Sequence, residues 1–421
     1  MKPVNASIIT IGDELLIGQT VDTNSAWMAE ELNKIGVWVK RRVAVGDVWD
    51  DIWGALDEEG QKAEIILITG GLGPTADDIT KPLLCKYFGG RVVVNDQVLT
   101  HVKYLFEKVF RRPGPILERN LKQAEVPDVC TVLMNERGTA PGMWFEKENK
   151  VYVSMPGVPH EMKGLMKKEV LPRLQRHFKM PFIFHQTFLT YGVGESVLAE
   201  KINEWEAALP SHIKLAYLPH YGTVRLRLTG IGDDQNKLEA ELEELGKLLR
   251  PLIQEWLVID DDMTIQQVVA KLLKEKKQTV ATAESCTGGY IAHLLTIDAG
   301  ASSNFKGTVV AYSNEVKEHV LNVSHQTIES AGAVSEEVVK QMVKGTLEEL
   351  KPDFALATSG IMGPDGGSEQ KPVGTVWIAV GNNKKIEAQV FHFRFDRLRN
   401  IEQTAHTALN VLRKFILQNR E

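Results

Sequence analysis

The stretch TVATAESCTGGYIAHLL, residues 279–295, sets a carboxylate, a hydroxyl and a thiol side by side at Glu284, Ser285 and Cys286. The apolar run before them reads as a buried strand that stops at Ala283. A helix is expected to open at about Thr287, across the pair Gly288–Gly289. A serine at such a turn is either a nucleophile with its Oγ in the open or an ordinary helix cap. Cys286 is the rival nucleophile, since a helix N-terminus lowers a thiol pKa. A cysteine hydrolase needs a histidine partner, however. His293 lies about two turns into the helix, and no motif places His319, His325, His392 or His406. Ser285 is therefore the preferred nucleophile, with Cys286 packing beside it.

A second constellation lies near the start of the chain, where three loops each follow a strand and carry carboxylates or glycines. The first is GDELLIGQTVDTNS, with Asp13, Glu14, Asp22 and Asn24; the second ends at Gly46–Asp47; the third is TGGLGPTADD, Thr69 to Asp78. Ligands of open α/β sheets bind beyond the carboxyl ends of strands. Glycines let the backbone approach an anion, and a following helix offers free N–H groups. Asp77 and Asp78 could hold a divalent cation bridging phosphate oxygens. The competing reading is glycines that make turns and aspartates that cap helices. No Walker A lysine and no G-x-G-x-x-G run occurs in these loops.

These residues need a scaffold, and 421 residues suffice for two to four domains. Hydrophobic residues make up 43% and charged residues 25%, the balance of a soluble globular protein. A net charge of −6 argues against a general nucleic-acid coat. The three cysteines, Cys85, Cys130 and Cys286, lie far apart, so neither a disulfide framework nor a thiolate zinc site is expected. No apolar run is long enough to span a bilayer, and a cytoplasmic location is expected.

Strands and helices alternate in the first third: ASIITIG, TNSAWMAEELNKIG, KRRVAVGD, DIWGALDEEGQKA and EIILITGG. That order predicts a parallel sheet covered on both faces. Trp27, Met28, Leu32 and Ile35 share one helix face, with Thr23 or Asn24 as the cap and Gly36 at the end. A hairpin is expected around MWFEKENKVYV, turning at Lys147 to Asn149. Residues 171–257 read as a small α+β unit, 258–263 as an acidic linker, and 264–421 as a second α/β domain. Its strands are TVATA, GTVVAY, FALATSG and VGTVWIAV, and a long amphipathic helix ends it. The fold class is thus two doubly wound, three-layer α/β domains flanking a small α+β domain.

GDELLIGQTVDTNS, GGLGPTADD and MPGVPHEM resemble the MoaB/MogA molybdopterin-binding fold, and more closely the N-terminal domain of the CinA (competence/damage-inducible) family. That resemblance implies a metal-dependent ADP-ribose pyrophosphatase over residues 1–170. Gly70, Gly71, Gly73 and Thr75, with Asn24, would hold phosphates. Asp13, Asp47, Asp77 and Asp78 would serve a divalent ion, Mg or Co. MPGVPHEM would close the site.

TAESCTGG, AYSNEVK, GAVSEEVV, ATSGIMGPDGG and KPVGTVWIA resemble the family's nicotinamide-nucleotide amidohydrolase domain. The implied reaction turns nicotinamide mononucleotide (NMN) into nicotinate mononucleotide and ammonia, without a cofactor. The resemblance implies a catalytic set of Ser285, Tyr312 and Lys317. Burial and a helix N-terminus both lower a lysine pKa, so a neutral Lys317 could take the serine proton, with Tyr312 as relay. Backbone N–H groups around Cys286 to Gly288 could hold the oxyanion. Glu284, Cys286, Thr287, Gly288, Gly289, Thr358, Ser359, Gly360, Gly363 and Arg397 would line the substrate. Arg399 is a second phosphate partner, and Asn400 stands near where many relatives carry a further arginine. The middle unit resembles a KH module but lacks a clear G-x-x-G clamp, and Lys214, Arg225 and Arg227 form only a thin basic patch. The resemblance and the terminal helix together suggest a homodimer with small nucleotides as partners and neither membrane nor nucleic acid. Two alternatives stand beside this: a competence-related scaffold that binds nucleic acid or DNA-processing partners, and a molybdopterin-binding protein.

Overall fold

The computed structural model describes residues 4–75, 77–111, 114–220 and 222–419. The chain divides into two compact units, Met1–Phe184 with Gly230–Glu241, and His185–Thr229 with Leu242–Glu421.

In the first unit a six-stranded sheet has the order Val37–Val45, Val4–Ile11, Ile65–Thr69, Lys150–Met155, Gly142–Lys147, Thr131–Leu133. The first four strands are mutually parallel. Alternate residues of Val4–Ile11 feed two separate cores. Ala6 and Ile8 pack with Met28, Leu32 and Met162 on one face, and Ile9 and Ile11 with Ile52, Leu56 and Leu84 on the other. This is the doubly wound arrangement expected, because a strand buried on both sides must be apolar throughout. The helix Thr23–Lys34 is capped by Asp22, whose carboxylate accepts from the Ser25 N–H at 2.9 Å, rather than by Thr23 or Asn24. The hairpin turns at Glu148 and Asn149, both at positive φ (52° and 61°), as a tight two-residue connection requires.

In the small α+β module the strand order is Ile213–His220, Thr223–Gly232, Phe182–Tyr191, Leu257–Ile259. The acidic linker expected at 258–263 starts inside this sheet, since Leu257 pairs with Thr190 and Ile259 with Leu189. Arg250 then grips Asp260 at 2.7 Å, so the carboxylate run is tethered rather than free.

The C-terminal domain holds a five-stranded sheet ordered Phe305–Val310, Val280–Glu284, Phe354–Gly360, Thr375–Gly381, Ile386–His392. The first three strands are parallel, and Thr375–Gly381 runs antiparallel to both of its neighbours, Phe354–Gly360 and Ile386–His392. Ile386–His392 is an edge strand the sequence reading lacks, because its half-exposed residues leave no buried apolar run. Helices Ile265–Glu275, Tyr290–Thr296 and Arg397–Gln418 cover one face, and Asn314–Leu321 and Glu336–Leu350 the other. The apolar side of Arg397–Gln418 is consumed by its own domain: Leu409, Leu412, Phe415 and Ile416 are buried in that core. Its amphipathicity is therefore no argument for a dimer.

That helix also meets the small module. The Tyr191 hydroxyl donates to Thr407 at 2.7 Å, and His406 packs edge-on to His220. Burial, then the neighbouring His220 and Arg225, push the His406 pKa down from 6.5 to about 4. Between those values the unfolded chain binds more protons than the folded one, so stability falls as pH drops through the window. The full loss is about 3 kcal/mol. Urea unfolding of the native chain between pH 7 and 4 is expected to show it, and His406→Phe to remove most of it. An unchanged pH dependence in the variant would remove His406 as the cause. Among the described residues, no helix is long and apolar enough to cross a membrane.

Candidate functional site

Val280–Glu284 is wholly buried, and the parallel ladder extends one residue further, with the Ser285 N–H donating to Thr358 O at 3.0 Å. The chain then turns before any helix starts. Gly288 and Gly289 sit at φ +60° and +96°, a left-handed conformation that no right-handed helix can contain. The helix accordingly begins at Tyr290, three residues later than the sequence suggested.

Glu284 shapes this turn. It is fully buried, and its carboxylate accepts from Thr287 Oγ1 (2.7 Å) and from the N–H groups of Gly289 (3.1 Å), Ile291 (3.0 Å) and Ala292 (2.8 Å). Expected at the substrate, Glu284 is instead a buried clamp on the helix start, both oxygens engaged. Of the three amides expected to hold an oxyanion, Gly288 N–H is engaged with Ser285 O at 3.2 Å. Those of Cys286 and Thr287 have no acceptor among the described residues. The Ser285 hydroxyl likewise makes no hydrogen bond there, and the residue is 9% exposed. Burial pushes the neighbouring Cys286 thiol up to about 12, which disqualifies it as a nucleophile near neutral pH.

Lys317 lies on the helix Asn314–Leu321, which Ser313 caps, and is 1% exposed. Its Nζ donates to Ala311 O at 2.8 Å and reaches the carbonyls of Tyr312 and Ser313 at 3.5 Å. Burial holds its pKa below the usual lysine range, and the Cys286 side chain works the other way. No side-chain hydrogen bond joins Ser285, Lys317 and Tyr312 in this geometry. The amine faces main-chain carbonyls, not the serine as expected. Tyr312 is 62% exposed, and its hydroxyl accepts from Arg397 Nη2 at 2.9 Å. Arg397 Nη1 donates to Gly363 O at 2.8 Å, so one guanidinium ties together the residue expected as relay and the glycine-rich loop.

The other expected lining residues divide. Thr287 and Thr358 share a hydroxyl contact at 2.9 Å beside Ser285. Ser359 turns away, donating to Ala333 O at 2.7 Å. Gly360 is required by packing, since a Cβ there would meet Val376 Cγ2 at 2.7 Å. Thr358, Ser359 and Gly360 end the strand Phe354–Gly360, which matches the expected strand FALATSG. Arg399 pairs with Asp396 at the surface. Asn400, where a relative's arginine was expected nearby, is fully buried and braces the carbonyls of Met362 (3.1 Å) and Phe395 (2.9 Å).

In the N-terminal unit a cleft of about 410 Å3 gathers Gly70, Gly71, Gly73, Asp47, Asp77 and Asp78. Glu14 of the first loop lines it too, as do Gln123 and Glu161, which the sequence analysis does not single out. Gly70 must be glycine: its φ is +115°, and a Cβ would lie 2.2 Å from Ile11 O. Asp78 accepts from Gly73 N (2.7 Å), Thr75 N (2.9 Å) and Thr75 Oγ1 (2.5 Å), so it ties the glycine loop together rather than standing free for a metal. Asp13 and Asp47 accept each other's main-chain N–H at 3.2 and 3.3 Å. Burial first, then the charges of Asp13, Glu14 and Asp77, raise the Asp47 pKa. Asn24 donates to Gly157 O at 2.7 Å and lines an adjoining cavity of about 120 Å3 instead. Among the described residues, no three His, Cys, Asp or Glu side chains converge on a preformed metal site; the four expected aspartates do not make a cage.

Three family models match the chain. They are the CinA C-terminal domain over residues 262–416, a "Probable molybdopterin binding domain" over 7–176, and the damage-inducible protein CinA KH domain over 185–257. A CinA-like protein of Cytophaga hutchinsonii is 46% identical over 98% of this chain and 98% of its own. One from Flavobacterium psychrophilum is 46% identical over 99% of each. A solved competence-damaged protein (CinA) superfamily structure from Klebsiella pneumoniae is 35% identical; the match covers 37% of this chain and 96% of that one, with a TM-score of 0.36.

Proposed function

The chain belongs to the CinA family, and from that premise we propose that it hydrolyses two breakdown products of NAD. Its C-terminal domain deamidates NMN, and its N-terminal domain opens ADP-ribose at the pyrophosphate.

The observation that carries the first activity is the Ser285 turn: an unbonded hydroxyl beside two unengaged N–H groups, at Cys286 and Thr287. An amide is a poor electrophile and needs both an activated nucleophile and a held oxyanion. Ser285 Oγ attacks the carboxamide carbon, and the oxyanion forms against the Cys286 and Thr287 amides. The serine proton passes to the Lys317 amine, through a water or after the side chain leaves Ala311 O. Ammonia departs with a proton returned from Lys317. Water then cleaves the acyl-serine to nicotinate mononucleotide and restores the hydroxyl. No cofactor is required.

The test is ammonia release from NMN by the full chain and by Lys317→Ala. Loss of the base is expected to lower turnover by about 10^2- to 10^4-fold. A base must be unprotonated, so native kcat/KM is expected to fall as pH drops through the Lys317 pKa. Because burial lowers that pKa, the limb should lie below the ordinary lysine range and vanish in the variant. A native-like rate and pH profile in Lys317→Ala would exclude it as the base.

For the second activity, the cleft carries Glu14, Asp47, Asp77 and Glu161 beside a glycine loop fit for phosphates. Unrelieved, those carboxylates would repel a pyrophosphate. A magnesium-type ion takes one or two carboxylates and completes its shell with substrate oxygens and water, so a preformed cage is not needed. Asp47 and Asp77, both on the cleft wall, would hold the ion. When bound, the ion would neutralise and polarise the phosphate oxygens, while Gly70, Gly71 and Gly73 bring main chain against them. Release of AMP and ribose 5-phosphate from ADP-ribose, dependent on Mg or Co, is the corresponding assay.

A further inference from the structure

Gln123 takes no part in the chemistry proposed for either domain. It sits in the short turn Lys122–Ala124, is 2% exposed, and lines the same cleft as the glycine loop. Its Oε1 is buried without a hydrogen-bond partner among the described residues. Buried amide oxygens are rarely left unsatisfied, because water's hydrogen bonds are lost and not replaced.

The side chain has little freedom to find a partner within the protein. The Lys81 amine donates to Lys122 O (3.4 Å) and Gln123 O (3.2 Å). Asn95 N–H donates to Ala124 O at 2.9 Å, and Glu125 is already paired in a strand with Val94. The main chain on both sides is thus pinned, and the residue lies in the cleft lining with its amide oxygen buried and unpaired among the described residues.

We propose that Gln123 reads the nucleobase of the nucleotide whose phosphates the glycine loop holds. A carboxamide offers one acceptor and one donor side by side. That pair matches an adenine edge that presents its amino group and N7. Hypoxanthine presents an oxo group and N7, two acceptors, and would oppose the unpaired Oε1. This inference rests on the pyrophosphatase reading of the cleft and adds its specificity.

The experiment compares adenine with hypoxanthine in the full chain. Binding of AMP and IMP is measured by titration calorimetry in magnesium, and hydrolysis of ADP-ribose and its inosine analogue by product release. The native chain is expected to favour adenine about tenfold or more. Gln123→Leu should bring the ratio near one, raising KM for ADP-ribose more than it lowers kcat. Gln123→Met, closer in shape, repeats the test if the leucine variant folds poorly. A native preference for AMP over IMP, lost in the variants but without ADP-ribose hydrolysis, would keep this inference and sink the pyrophosphatase reading. Hydrolysis with no base preference, or a preference retained in both variants, would overturn this inference and leave that reading standing. No binding of either nucleotide together with no hydrolysis of ADP-ribose would end both.

Discussion

Ser285→Ala, with Cys286 left in place, is expected to lower ammonia release from NMN by about four to six orders of magnitude. The hydroxyl has no other duty among the described residues: it donates to none of them and caps no helix, since the helix starts five residues later at Tyr290. Its removal should therefore cost chemistry and little stability. The thiol next door cannot substitute, because burial pushes it up to about 12 and leaves almost no thiolate at neutral pH. Cys286→Ser should accordingly retain most of the turnover. Substantial deamidation by Ser285→Ala, or its loss in Cys286→Ser with Ser285 intact, would move the nucleophile to the thiol. Parallel urea unfolding separates a chemical loss from a structural one.

Glu284→Gln is expected to destabilise the C-terminal domain by about 3 to 5 kcal/mol and to abolish deamidation with it. Three backbone N–H groups and the Thr287 hydroxyl converge on this carboxylate in a fully buried site. An ionised carboxyl group is acceptor-only, whereas glutamine turns an NH2 group toward donors. At least one N–H is then left unpaired away from water, and the stretch from Cys286 to Gly289 loses what holds it open. The urea midpoint of this domain reports the shift. A change below about 1 kcal/mol would show that the turn holds without the clamp.

Ser285 and Glu284 separate what local order carries from what it does not. Ser285 was legible because a short apolar run, a hydroxyl and a glycine pair in that order leave few local structures open. Glu284 was misread as a substrate contact because adjacency to a nucleophile looks the same on paper whether a side chain faces the pocket or the core. Two left-handed glycines delay the helix and direct Glu284 inward, toward N–H groups up to eight residues away. In the other unit, Asp47, Asp77 and the glycine loop were found from their places after strands. Gln123 was not, because its turn carries no motif; only burial without a partner reveals it.

By itself the amino-acid order determined the layered α/β architecture and the family, and it pointed to both candidate sites, since period, run length and turn chemistry are local properties. Tertiary structure decided which side chains are already committed. Asp78 is bound to its own loop, Lys317 to the carbonyls of Ala311 to Ser313, and Arg397 to Tyr312 and Gly363. The physical reason is that a polar group's availability depends on the donors, acceptors and water around it. Those are set by segments distant in the chain, which spacing along one strand or helix does not encode.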